Sequence, residues 1–302
     1  MSSTFCREVD SLLSLSSVNG LFRQLCAAHI FRTLKIAFSS AGLDRLVQIS
    51  QSRVTSHVRA IVYEIPERIP PNNESYDYFQ THIYTPADAR AREQRIVHEN
   101  AQDTEALMIA LPCFPRLETV HLSFIDDIKS PFRWFAGRVF LDGVSCLKDH
   151  LVKMSAAMVV AKMEGVVVKT FEISGFHSRV NTRDSLVLYL LEKALSNVEE
   201  LRAINSPTIL EPLSQIMLPS VRRFELGYGW LSLETIDSFV RQHANSLRFL
   251  YLKTPGSCTK DSVRTVSILS MANAQHILKN MAGVWDTDIL EEITINTRPG
   301  GV

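Results

Sequence analysis

A short pattern, apolar-x-x-apolar-x-apolar, returns eight times along the chain and constrains its fold more than any other feature. It reads FRTLKI from Phe31, VRAIVY from Val58, LETVHL from Leu117, VKTFEI from Val168, VEELRA from Val198, VRRFEL from Val221, LRFLYL from Leu247 and LEEITI from Leu290. The alternation inside each copy is that of a strand with one buried face. One copy is too short to be a domain and too apolar on one side to stand alone, so the copies must stack and share a core. Their starts are 27, 59, 51, 30, 23, 26 and 43 residues apart. Most of the short intervals fall in the range of about 20 to 29 residues typical of leucine-rich repeats, and the long ones leave room for an insertion or a degenerate copy.

Between the copies the apolar period changes from two to 3.6. Val187, Leu190, Leu191, Ala194 and Leu195 form one helical stripe that Asn181 or Thr182 can cap. Ile236, Phe239, Val240 and Ala244 repeat the spacing after Ser232, and Leu151, Met154, Met158 and Val159 do so before Gly165, a residue suited to a left-handed cap. Alternating strands and helices predict an α/β fold: a leucine-rich-repeat-like solenoid with a parallel sheet and outer helices, its strands paired in chain order. Leu250, Leu252, Phe224, Leu226, Phe171 and Ile173 should then stack in successive core layers. The main interruption runs from Pro66 to Thr104, where Pro66, Pro70 and Pro71 break the second strand. The reading there is a surface loop, then a solvated helix from near Pro86 toward Leu111. Tyr76, Tyr78 and Phe79 lie in the loop; folding it back on the scaffold is favoured over anchoring a partner.

Thirty-two Lys plus Arg balance thirty-two Asp plus Glu, so no global field draws the chain to nucleic acid or anionic lipid. The longest apolar run, Met154 to Val168, is interrupted by Lys162 and Glu164 and falls short of the roughly 20 residues of a membrane span. No secretory signal is evident at the N-terminus, and the five cysteines are odd in number and widely spaced, unlike a disulfide framework. An intracellular protein, cytoplasmic or nuclear, is expected. Asn73-Glu74-Ser75 matches a glycosylation acceptor only by its short triplet.

No HExxH, CxxC, P-loop, GxGxxG or GxSxG string occurs, and no catalytic residue, cofactor or metal is expected. Gly227-Tyr228-Gly229 and Gly256 to Lys260 read as turns. His121 lacks companions for catalysis and reads as a solvated strand histidine, and Asp126-Asp127 reads as a loop.

The stretch Leu21-Phe22-Arg23-Gln24-Leu25-Cys26 with His29 to Ile36 resembles the end of an F-box and its junction with the repeats in fungal F-box proteins. The likeness continues in VRAIVYEIPE from Val58 and CFPRLETVHLSF from Cys113. It implies a short helical N-terminal F-box remnant with the first strand (1–38), then an irregular repeat domain (39–302) carrying the insertion near 66–104. It also implies a substrate receptor of an SCF-type ubiquitin ligase, with Leu21, Phe22 and Leu25 facing a Skp-type adaptor and the repeats holding a protein target. The first proline is Pro66, so the Leu-Pro pair that opens an F-box is missing, and weak or no adaptor binding is expected. A repeat-only binding protein without a ligase is the alternative, and an enzyme of unknown class the third reading.

On the exposed sheet face a ladder is expected of Glu118 and His121, Lys169 and Glu172, Glu199 and Arg202, Arg223 and Glu225, Arg248 and Tyr251, then Glu292 and Thr294. Target binding is expected at the C-terminal repeats, through Arg223, Arg248, Tyr251 and Lys253 on the strands and Tyr228 and Trp230 in the loop between them, because arginine and aromatics dominate interface hot spots.

Overall fold

The computed structural model describes residues 19–66, 96–125, 144–176, 184–227, 233–243, 245–253 and 292–296, with positions 11, 14 and 93. At 23–25, 66, 144–147, 207, 233–234, 252–253 and 292–296 it describes the backbone alone. All eight copies of the pattern form strands: β1 (Thr33–Ala37), β2 (Ala60–Pro66), β3 (Thr119–Ile125), β4 (Thr170–Ser174), β5 (Glu200–Ile204), β6 (Arg223–Gly227), β7 (Phe249–Lys253) and β8 (Glu292–Asn296). They pair in parallel, in chain order, in one eight-stranded sheet. The register follows the sequence pattern without slippage: Leu34 lies opposite Ile61, Ile61 opposite Val120, Val120 opposite Phe171, Phe171 opposite Leu201, Leu201 opposite Phe224 and Phe224 opposite Leu250.

That row and its companion two residues on (Ile36, Tyr63, Leu122, Ile173, Ala203, Leu226) are all buried. A slip of one residue would turn both rows toward water, which is why a strand with one apolar face fixes its own register. Of the six layered residues expected in the core, five are buried. The side chain of Leu252 lies outside the described residues.

A second ladder locks the strand starts. The carbonyl of Arg32 accepts both Arg59 N–H (2.9 Å) and Ala60 N–H (3.0 Å), and the carbonyls of Arg59, Glu118, Lys169, Glu199 and Arg222 each accept the corresponding pair from the next unit. The residue before each strand is therefore tied to its neighbours along the stack, although it lies outside the strand.

Among the described residues a helix precedes the sheet, α1 (Gly20–Ile30), and others occupy the connections up to β7: α2 (Ser40–Ser50), α3 (Gln102–Ala110), α4 (Val144–Met163), α5 (Ser185–Leu195), the one-turn α6 (Leu210–Leu213) and α7 (Leu233–Gln242). Each starts or stops for a local reason. Asn19 Oδ1 accepts from Phe22 N–H at the start of α1, and Ser39 Oγ accepts from Gly42 N–H at the start of α2. Gly165, at φ 87°, closes the chain after α4 as its position suggested. Asp184, rather than Asn181 or Thr182, caps α5, accepting from Val187 N–H. Its carboxylate also receives Lys148 Nζ of α4 at 2.6 Å, and these bonds, that to Lys148 foremost, hold its pKa below the ordinary carboxylate value.

Of the solvated helix expected from near Pro86 toward Leu111, residues 86–92, 94 and 95 lie outside the described residues, and the part that forms α3 is packed rather than solvated. Asp103, Ala106, Leu107 and Ala110 of α3 are buried, and the helix sits between α2 and α4. The reason is that its charged flank is short and Ala106, Leu107, Ala110 and Leu111 form one apolar stripe. Asp103 carries the only charge fully inside this layer among the described residues, and it is compensated: both its oxygens accept from Lys153 Nζ at 2.9 Å, and His150 Nδ1 lies 3.6 Å away. The Tyr63 ring is packed edge-on to Phe38 on the same side of the sheet. Burial, and then the Asp103 charge, push its hydroxyl pKa well above the usual tyrosine value.

His243, just after α7, is buried and fully satisfied: Nδ1 bonds the Phe239 carbonyl (2.8 Å) and Nε2 accepts Leu218 N–H (3.2 Å). The pairing makes it the neutral Nδ1–H tautomer, and burial lowers its pKa. The unfolded chain takes up a proton near pH 6.5 that the folded chain refuses, so stability falls as pH drops from about 6.5 toward the folded pKa. Chemical denaturation at a series of pH values should show this slope, at most about 1.4 kcal/mol per pH unit for this one proton, and His243→Gln should reduce it, leaving the part that the likewise lowered His121 contributes.

Gly175 ends β4 at φ 73°, where a Cβ would meet the Phe124 carbonyl oxygen at 2.2 Å, whereas a Cβ on Gly165 meets nothing within 4 Å. Gly165→Ala should cost about 1 to 2 kcal/mol for the left-handed backbone alone. Gly175→Ala should cost measurably more in the same urea titration, because β3 must also give way.

Candidate functional site

Strand alternation puts two rows on the face opposite the core. In the first, Thr33, Ala60, Thr119, Thr170, Glu200, Arg223 and Phe249 lie side by side; in the second, Lys35, Val62, His121, Glu172, Arg202, Glu225 and Tyr251 do. All are half-buried or exposed. The sheet thus has one dry face and one polar face, and the polar face becomes charged toward β4–β7.

Arg202 is the centre of that charge. Its Nε and Nη2 both donate to Glu200 Oε1, at 3.1 and 2.9 Å, while Glu172 (3.6 Å) and Glu225 (3.7 Å) flank it from the neighbouring strands. Desolvation opposes its charge, but the bond to Glu200 and the surrounding carboxylates outweigh it and raise the pKa above the ordinary arginine value. Arg223 contributes a second cation 3.6 Å from Glu200. Its guanidinium carbon lies 5.1 Å from the Phe249 ring centre and 5.4 Å from that of Tyr251, within cation–π range of both. Two arginines, three glutamates and two aromatic rings therefore form one continuous patch on four successive strands.

His121 borders the patch. Its Nε2 is 2.8 Å from Ser174 Oγ and 3.6 Å from Glu172 Oε1. Burial lowers its pKa despite the attraction of Glu172 and Glu64, so it is predominantly neutral near pH 7. It is more enclosed than the solvated strand histidine expected from sequence, because Ser174 and Glu172 sit opposite it in register.

Several residues expected on this face are elsewhere. Glu118, Lys169, Glu199 and Arg248 sit one position before their strands, in the lead-in turns that carry the carbonyl ladder. The second position of the pattern has the same parity as its two core positions, so inside a strand it would point into the core; a charged residue is tolerated there only because the strand has not begun. Arg248 is held in its turn, donating to the carbonyls of Asn245 (3.3 Å) and Leu247 (3.2 Å). Arg223 and Tyr251 are brought together as expected. Lys253 ends β7 opposite Gly227, with only its backbone described, and Tyr228 and Trp230 lie outside the described residues, as do the loop aromatics Tyr76, Tyr78 and Phe79.

Glu200 is the contributor that sequence reasoning overlooked. The signal was present: positions three and five of each copy share a face, and Glu200 holds position three. At the other end of the chain Leu21 and Phe22 of α1 are exposed, at 65% and 39%, while the Leu25 side chain is outside the description. No set of three His, Cys, Asp or Glu side chains suited to a metal ion occurs among the described residues. No described helix is long and apolar enough to cross a membrane. No protein-family model matches the chain, and no curated protein matches it.

Replacing Arg202 leaves three carboxylates facing one another across adjacent strands. Arg202→Met should lower stability by about 1 kcal/mol, a figure kept small by solvent screening, and the loss should shrink in high salt. Adding Glu200→Gln should recover part of it, a coupling that a double-mutant cycle in urea can measure.

Proposed function

We propose that the protein is a non-catalytic, leucine-rich-repeat-like solenoid whose exposed sheet face holds a protein partner. The observation that carries this reading is the patch around Arg202 and Arg223. Arginine lying over aromatic rings, with its charge already compensated by neighbours, loses little conformational freedom when a partner covers it. A mixed, self-neutralised patch of this kind suits a protein surface, where polar groups must be re-paired on contact, better than a polyanion, which needs uncompensated cations. The parallel, chain-ordered strands support the repeat reading, since each unit then contacts chiefly its neighbours.

A second reading, the substrate receptor of an SCF-type ubiquitin ligase, is favoured by one specific feature: Leu21 and Phe22 stand exposed on α1, just ahead of β1. In that reading α1 meets a Skp-type adaptor and the sheet face holds the target. Tight co-purification with such an adaptor, lost in Phe22→Ala without unfolding, would favour the ligase over the plain scaffold.

For the scaffold itself, a partner purified after crosslinking should bind Arg223→Ala and Tyr251→Ala about thirty-fold more weakly than the wild-type chain, equivalent to about 2 kcal/mol. Calorimetric titration supplies the affinity and thermal unfolding the control. Unchanged affinity in both variants would remove this face from the interface.

A further inference from the structure

The lead-in turns of β4 to β7 line a groove of about 740 Å³ that meets the exposed sheet face at Phe249. It crosses the strand starts, so its length follows from strand spacing: three intervals of about 4.8 Å span about 14 Å, the reach of about four extended residues. Asn197, ahead of β5, and Asn245, ahead of β7, line it, each with an amide that can donate to one main-chain group and accept from another. Between and beside them stand Arg222 and Arg248, neighbours in register because Arg223 pairs with Phe249.

Two guanidiniums on adjacent strands repel unless an anion lies between them. Among the described residues neither has a carboxylate within ion-pair distance, in contrast with Arg59, Arg202 and Arg223, which all do. Arg248 is moreover fixed by carbonyls, which orient a guanidinium without neutralising it. The bias extends along the same edge: of the lead-in residues Arg32, Arg59, Glu118, Lys169, Glu199, Arg222 and Arg248, five are basic and two acidic. Glu199 also lines the groove, so against the two arginines the described lining of this formally neutral chain keeps one net positive charge, beside peptide-like hydrogen-bonding groups.

We infer that this groove binds an extended acidic peptide segment of a partner protein, its main chain paired with the Asn197 and Asn245 amides and its carboxylates with Arg222 and Arg248. The inference rests on the scaffold reading but not on the ligase one, and it concerns a surface that adjoins the Arg202 patch at Phe249. Bidentate pairing suits guanidinium and carboxylate geometry, and four residues of contact predict a weak, salt-sensitive interaction that works alongside a larger interface.

The test uses the full chain and a fluorescein-labelled Gly-(Glu)4-Gly peptide against its Gln counterpart, by fluorescence polarisation at about 0.15 M salt. The acidic peptide should bind at least about ten-fold more tightly. The double variant Arg222→Gln, Arg248→Gln should abolish that preference, and Asn197→Ala with Asn245→Ala should weaken both peptides. Arg32→Gln, on the same edge but far from the groove, should change nothing. Arg222→Gln alone serves if the double variant melts early. Equal binding of the two peptides, or a loss as large in Arg32→Gln as in the groove variants, would overturn the inference, as would tight binding confined to a phosphoserine peptide. In Tyr251→Ala, whose side chain is not among the residues lining the groove, lost peptide binding would condemn the groove, whereas unchanged partner capture would condemn the sheet face alone.

Discussion

The parallel register of the strands is the constraint on which everything else depends. Parallel neighbours cannot be joined by a tight turn, so each connection must leave at one end of the sheet and return to the other. In the connections up to β7 the chain does this with helices, and helices need a greasy surface to pack on. The register supplies it by gathering Ile61, Val120, Phe171, Leu201, Phe224 and Leu250 into one row on one face. The carbonyl ladder at the strand starts holds that register from outside the strands, since a shifted unit would lose two N–H bonds at each boundary as well as its buried row.

The same register builds both candidate surfaces. Residues of like position are brought about 4.8 Å apart across the stack although they are tens of positions apart in the chain. Position five becomes His121, Glu172, Arg202 and Glu225 in a line, and position two becomes a charged edge. On the face the charges alternate and satisfy one another. At the edge Arg59 and Glu118 do so too, but Arg222 and Arg248 fall beside each other. Whether a patch is compensated or available is thus decided by which charges neighbouring units happen to carry, not by composition.

Inside the helical layer the problem is the opposite one. Asp103 is fully buried and would be untenable alone, but Lys153 contributes a bidentate pair and His150 lies beside it. These groups tie α3 to α4, and Lys148 with Asp184 ties α4 to α5. Polar contacts with directional geometry fix how the helices sit on one another, a role that the interchangeable apolar contacts beneath them fill less well.

The sequence by itself determined the strands, their shared direction, their buried rows and the turn at Gly165. These follow from local alternation and from backbone requirements that a single residue reveals. It also supplied Arg223 and Tyr251 as companions, since both occupy the exposed parity of adjacent copies. Tertiary structure decided the rest. Packing between α2 and α4 turned the helix around Asp103 inward, because an apolar stripe of four residues finds its mate only in three dimensions. Strand boundaries moved Glu118, Lys169, Glu199 and Arg248 from the face to the edge, since the residue where a strand begins depends on where its neighbour begins. The groove exists only once four lead-in turns are stacked, and no single turn contains enough of it to be read along the chain.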